Sequence, residues 1–158
     1  MRDSKLILFA LWPLLLGLQH CSPSGVEPVP TASCPAVKIT DVLADSLRLD
    51  GFDLKAISIN ADTLFIEIAH GGGCKPHDYA LFMSPSVFAE SFPVQACLYL
   101  RHNANGDLCK ALLQQKTCFD LRPVAEQYRK FYGGLAPIRL NVYGYSRGQK
   151  LDALYEPR

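Results

Sequence analysis

The sequence predicts a mainly β domain, an antiparallel β-sandwich or open barrel of seven to eight strands with one short helix near residues 123–132. Three observations predict it. Apolar and polar residues alternate in successive short runs from residue 46 to residue 155. Turn-forming Gly, Pro, Asn and Asp interrupt those runs about every ten residues. One segment alone combines good helix formers with a proline at its start and a glycine pair at its end.

The first residues stand apart from this pattern. Arg2 and Lys5 precede the apolar run Leu6 to Leu18, which is shorter than the roughly 20 residues a spanning helix needs and is interrupted by Pro13. Residues 1–20 are therefore expected to be a secretory signal. Cys21 follows the run directly, where a lipoprotein signal places its lipid-modified cysteine. Residues 21–36 read as a Pro/Ser-rich tether, and residues 37–158 as a single β-rich domain. This organisation predicts palmitate-type lipid on Cys21 and a chain anchored at the bacterial cell envelope. Ordinary cleavage further on, near Thr31-Ala32-Ser33, would instead release a soluble secreted protein.

The elements follow in order. Asp41 to Asp50 reads either as a helical turn (Asp41 to Asp45) or as a strand (Ser46 to Asp50). Leu54 to Ile59 and Thr63 to Ala69 alternate on either side of Asn60-Ala61-Asp62, which predicts a hairpin ending at Gly71-Gly72-Gly73. Asp78 to Met83 is apolar on both faces, as a central strand would be. In Val94 to Leu100, residues Val94, Ala96, Leu98 and Leu100 face inward while Gln95, Cys97 and Tyr99 face outward. Leu108 to Gln114 and Thr117 to Leu121 read as further strand segments. The helix runs from Pro123 to Tyr132 and stops at Gly133-Gly134. Ile138 to Tyr143 is a core strand, and Leu151 to Tyr155 an edge.

The charge balance, 16 basic against 15 acidic residues, gives no electrostatic case for nucleic acid. Six cysteines in an exported chain point to disulfides. With Cys21 reserved for lipid, five remain. Cys74 and Cys109 each sit in or beside a glycine-containing turn, with strands on both sides, and are expected to pair. The bridge would close a loop of about 35 residues, worth about 3.5–4 kcal/mol by chain entropy. Cys97 and Cys118 both lie opposite the apolar stripe of their own strands and are expected to form a second bridge, leaving Cys34 unpaired or paired between molecules.

The same two turns contain the candidate chemistry. His70, Cys74 and His77, with His102 and Cys109, supply nitrogen and sulfur ligands that could hold a metal, although the spacing matches no strong zinc signature. Were the cysteines bonded, His70, His77 and His102 would remain as the alternative metal ligands. Cys74 with His70 or His77 would be the pair for nucleophilic catalysis. Asn103, Asn105 and Asp107 alternate like the start of a calcium loop but lack its distal glutamate, and Asn105-Gly106 explains them as a turn. Without a ligand role, His70 and His102 would end their strands at the solvent. No metal, cofactor or catalytic residue is assigned on this reading.

Three motifs stand out between Leu64 and Leu121: Gly72-Gly73-Cys74-Lys75-Pro76-His77-Asp78-Tyr79, His102 to Asp107 with Cys109 and Ala111, and Phe119-Asp120-Leu121-Arg122-Pro123. On these motifs the segment, more than a third of the chain, resembles a family of uncharacterised bacterial lipoproteins of the Bacteroidota. The chain departs from the family pattern at His20, where a small residue is usual, and in having Cys97 and Cys118. The resemblance implies location and architecture but no activity. The expected function is thus a non-enzymatic binding or structural module of the envelope, membrane-attached through lipid. The alternative is an exported metal-binding or cysteine-dependent protein using His70, Cys74, His77 and His102.

Overall fold

A computed structural model describes residues 33–158; the expected signal, residues 1–20, and Cys21 lie outside them. Eight strands form two sheets that face each other across one core, a β-sandwich not closed into a barrel. The larger sheet contains β1 (Lys38–Ile39), β4 (Asp78–Met83), β5 (Val94–Asn103), β7 (Ile138–Tyr143) and β8 (Lys150–Tyr155), in the order β1-β4-β5-β7-β8. The smaller contains β2 (Asp53–Asn60), β3 (Thr63–Gly72) and β6 (Ala111–Asp120), in the order β2-β3-β6. Most pairs are antiparallel, but β1 with β4 and β5 with β7 run parallel. The second parallel pair follows from the route of the chain, which leaves β5 for β6 in the other sheet and returns through helix α2 (Arg122–Tyr132).

Alternation sets the faces. Leu64, Ile66 and Ile68 of β3 meet Leu98 and Leu100 of β5 and Ile138, Leu140 and Val142 of β7 within one buried cluster. A register shift between Leu54 and Ala56 lets β2 change parity, so Leu54, Ile57 and Ile59 all pack on the core despite their uneven spacing. Helix α2 buries Val124, Ala125 and Tyr128, and Gly133, at φ +76°, closes it with its N–H donated to the Arg129 carbonyl. A second helix, α1 (Ala44–Leu47), straddles the two readings of residues 41–50: a helical turn forms, but three residues later than Asp41, and Ser46 to Asp50 forms no strand. Among the described residues no helix is long and apolar enough to cross a membrane.

Two strands run further than their composition predicts. β3 continues through His70 to Gly72, because each of those residues pairs with β6 in the Leu113 to Ala111 register. β6 is a single ten-residue strand, where the sequence reads as two segments.

Among the described residues there are two disulfides, Cys34–Cys118 and Cys74–Cys109, and Cys97 is free. Such bonds belong to an oxidising, extracytoplasmic compartment. The expected Cys97–Cys118 bridge does not form. Both side chains do point away from the core, but Cys97 lies on the outer face of the larger sheet and Cys118 on the outer face of the smaller, with the whole sandwich between them. Cys118 instead meets Cys34, because residues 35–37 run along the end of β6. There the Asp120 N–H donates to the Pro35 carbonyl and the Val37 N–H to the Asp120 carbonyl. The separation of 84 residues makes this the longer of the two closed loops.

A Cys34→Ser, Cys118→Ser double variant is expected to lose about 4–5 kcal/mol of stability by the chain-entropy estimate for a loop of that length. Denaturant unfolding measures it. Thiol titration of the unreduced, denatured protein is expected to find Cys97 as the free thiol among residues 33–158.

Candidate functional site

Two loops cross between the sheets at the same end of the sandwich. Residues 73–77 carry the chain from β3 to β4, and residues 104–110 carry it back from β5 to β6. The Cys74–Cys109 disulfide joins them. Asp107 joins them a second time: its Oδ2 accepts from the backbone N–H groups of Gly73 (2.8 Å), Cys74 (2.9 Å) and Lys75 (3.0 Å), while its Oδ1 accepts from the N–H of Cys109 at 2.9 Å. The Lys75 ammonium closes the other side by donating to the Asn105 and Gly106 carbonyls, and the Asn105 amide donates to the Pro76 carbonyl and the Asp78 carboxylate.

The three histidines of the two turns come together beneath these loops. One nitrogen from each of His70, His77 and His102 lies within 4.8 Å of the others, and the ring centroids are 4.5–4.9 Å apart. His70 and His102 are 5% and 1% exposed and the His77 side chain 4%, whereas strand-end histidines were expected at the solvent. Strand parity is the cause. His70 is the next inward position of β3 after Leu64, Ile66 and Ile68, and His102 the next of β5 after Leu98 and Leu100. Tyr79, on β4, pairs with His102 in register and stacks on its ring at 5.2 Å and 11°. Phe52 approaches the same ring edge-on at 6.1 Å.

Each ring is fixed by a specific partner. His70 Nδ1 donates to the Gly71 carbonyl (2.9 Å), so its Nε2 accepts from the Tyr79 hydroxyl (2.8 Å). His102 Nδ1 donates to the Gly51 carbonyl at 3.2 Å. His77 Nε2 lies 3.2 Å from Asp107 Oδ2, and His77 Nδ1 lies 2.8 Å from His102 Nε2. The backbone N–H groups of Cys109 and Cys74 hold the Asp107 carboxyl well below the usual carboxylate range, with Lys75 and His77 adding to the effect and burial opposing it. Burial, then the neighbouring His70, pushes His102 below the ordinary histidine value. Burial likewise raises the Tyr79 phenol.

Several expectations change on this geometry. Cys74 and Cys109 are bonded to each other, so neither is a thiolate ligand, and the cysteine-dependent alternative loses its nucleophile. Two of the three residues considered for calcium have their side-chain oxygens engaged within the loops: Asn103 Oδ1 accepts from the Asn105 N–H, and both Asp107 oxygens accept from backbone N–H groups. Sequence reasoning did not single out Asp107 as the clamp of the two loops, nor Tyr79, Gly51 and Gly72 as members of the site. Gly72 is needed on two counts. Its φ is +144°, and a Cβ there would lie 2.6 Å from His77 Cε1 and 3.0 Å from Asp107 Oδ2.

Gly72→Ala is therefore expected to destabilise the fold by about 1–3 kcal/mol through backbone strain, with the His77 clash in addition. Thermal unfolding compared with Gly71→Ala, where a Cβ meets nothing within 4 Å, isolates the local effect.

No protein-family model and no curated protein matches the chain, whereas solved structures share its fold. A crystal structure described as a toxin-related protein from Parabacteroides distasonis ATCC 8503 superposes with a TM-score of 0.52 at 23% identity, over 77% of this chain and 59% of that one. A NigD-like immunity protein from Bacteroides caccae ATCC 43185 does so with a TM-score of 0.50 at 20% identity, over 79% of this chain and 64% of the other. The chain thus spans less than two thirds of the length of either. Both neighbours come from the Bacteroidota, and at these identities the likeness is one of fold.

Proposed function

We propose that the chain is an exported lipoprotein of the bacterial cell envelope: a non-enzymatic β-sandwich, attached to the membrane by lipid on Cys21, that serves as a binding or structural module. The Cys34–Cys118 disulfide carries this reading. It lies where the Pro/Ser-rich tether enters the domain, and it ties that entry covalently to the C-terminal end of the smaller sheet's β6. A segment held at a membrane would otherwise pull on residues 34–39, whose noncovalent hold is a two-residue strand, a few backbone hydrogen bonds and the burial of Val37 and part of Ile39 in the core. With the bridge in place, tension passes from the tether into a ten-residue strand paired along its whole length with β3. The bond also requires the oxidising compartment that the signal sequence predicts.

The outer surface suits a module that meets other molecules. On the larger sheet, Tyr99 and Tyr143 stack at 4.9 Å across β5 and β7, and Lys38 and Arg101 both stand 5.6 Å from the Phe82 ring. These half-buried aromatics present flat apolar area with polar margins, and aromatic residues and arginine are enriched where protein surfaces make contacts.

Replacing Cys21 with serine is expected to move the protein from the membrane fraction to the soluble fraction. Fractionation with immunodetection reads the result, and unchanged membrane association would remove the lipid anchor from this account.

A further inference from the structure

The histidine cluster contains a mismatch between donors and acceptors. From the Gly51 carbonyl the polar contacts run through His102 and His77 to the Asp107 carboxylate, with three close approaches of 3.2, 2.8 and 3.2 Å. The groups at both ends of this chain only accept hydrogen bonds. Three approaches therefore need three N–H hydrogens, and two neutral imidazoles own two. When the outer nitrogens donate to Gly51 and Asp107, the 2.8 Å contact between His77 Nδ1 and His102 Nε2 joins two lone pairs. With that placement of protons, a cation between the two nitrogens, either an extra proton or a metal ion, resolves the mismatch.

The third ring decides which. His70 donates its outer nitrogen to the Gly71 carbonyl, so its Nε2 lone pair also turns inward, toward Tyr79 and the other two rings. A proton between His77 and His102 makes no use of His70. A metal ion uses all three rings. The outer nitrogens of the set are held by a carbonyl, a carbonyl and a carboxylate, the partners that orient metal-bound histidines and fix their tautomers. In a tetrahedral zinc site with bonds of about 2.0–2.1 Å, ligand nitrogens stand roughly 3.4 Å apart. The ring nitrogens here, 2.8 Å apart in the closest pair and within 4.8 Å overall, bracket that spacing.

We propose that His70, His77 and His102 bind one late first-row divalent cation, zinc being the probe of choice, through His70 Nε2, His77 Nδ1 and His102 Nε2. The nitrogen-only donor set selects for zinc, copper(II) or nickel over calcium and magnesium. Tyr79, whose hydroxyl now satisfies His70 Nε2, is the neighbouring oxygen that yields to the ion or joins it. The ionised Asp107 supplies the compensating charge one atom shell out. The site is independent of Cys21, so loss of the membrane anchor would leave it intact, and absence of metal binding would leave the anchor reading intact.

The test uses the purified, untagged, unreduced protein, stripped with a chelator and dialysed. Titration with zinc in competition with a chromophoric chelator is expected to show one equivalent bound per chain with a Kd of about a micromolar or tighter. Cobalt(II) is expected to give the intense visible absorption of a four-coordinate ion. His70→Phe, which keeps a ring in place and leaves the His77–His102 contact, is expected to weaken zinc binding at least about tenfold. Failure of the stripped wild type to bind zinc and copper would overturn the proposal and assign the cation to a proton. A pale octahedral cobalt spectrum would overturn it too, by showing a surface ion only. Both wild-type readouts stand even if the variant does not fold. In a folded His70→Phe protein, unchanged affinity would remove His70 from the ligand set and with it the three-histidine site.

Discussion

The Asp107 carboxylate is the point on which this end of the molecule depends. Three successive backbone N–H groups, from Gly73, Cys74 and Lys75, converge on one of its oxygens, forming an anion-binding concavity in the chain. The other oxygen fixes the Cys109 N–H on its own loop. The two crossover loops are thereby held in one geometry, and the disulfide between Cys74 and Cys109 joins parts already in place. His77 follows Pro76 directly, so its ring position depends on the loop's position. Gly72 then lies against the His77–Asp107 contact because a side chain there would occupy the space of both. Charge, covalent bond and missing side chain act on the same few residues.

Much of this was legible in the sequence. The alternation of β3, β5 and β7 identifies their inward residues, the Asn-Ala-Asp turn identifies the β2–β3 hairpin, and the proline and double glycine bracket helix α2. What was missed at the histidines was also present in the pattern. Extending the inward parity of β3 and β5 by one step reaches His70 and His102. Apolar runs are usually ended at the first polar residue, and a buried histidine looks like such an end. Asp107 was harder to recognise, because the donors that hold it are backbone groups and backbone groups leave no mark in composition.

The cysteines show where periodicity stops informing. Parity tells which face of a strand a residue occupies but not which sheet that strand joins. Cys97 and Cys118 share a parity, yet β5 and β6 lie in different sheets, since the chain crosses the sandwich between them. Neighbouring strands were legible only where a short turn forced them together, as for β2 and β3. The β3–β6 ladder and the parallel β5–β7 pair are set by crossovers through other elements, and the pairing of Cys34 with Cys118 depends on the path of residues 35–37 along β6.

A core requires apolar residues, and at this end the sandwich departs from that requirement. Leucine or valine at positions 70 and 102 would continue the stripes of β3 and β5 and stabilise the fold through burial of apolar area. Three imidazoles instead carry a desolvation cost that must be offset by hydrogen bonds. The offset is complete in form: among the described residues the buried side-chain nitrogens and oxygens without a partner are Arg48 Nε and Gln149 Oε1, and no histidine atom is among them. Yet the partners are unequal in kind. Gly71, Gly51 and Asp107 present acceptors to the outer nitrogens, while the inner nitrogens of His77 and His102 meet each other. A polar network built for stability alone would place a donor opposite an acceptor at its centre, as Tyr79 does for His70. Here the periphery is resolved and the centre calls for a positive charge, which is the arrangement of groups organised around a cation.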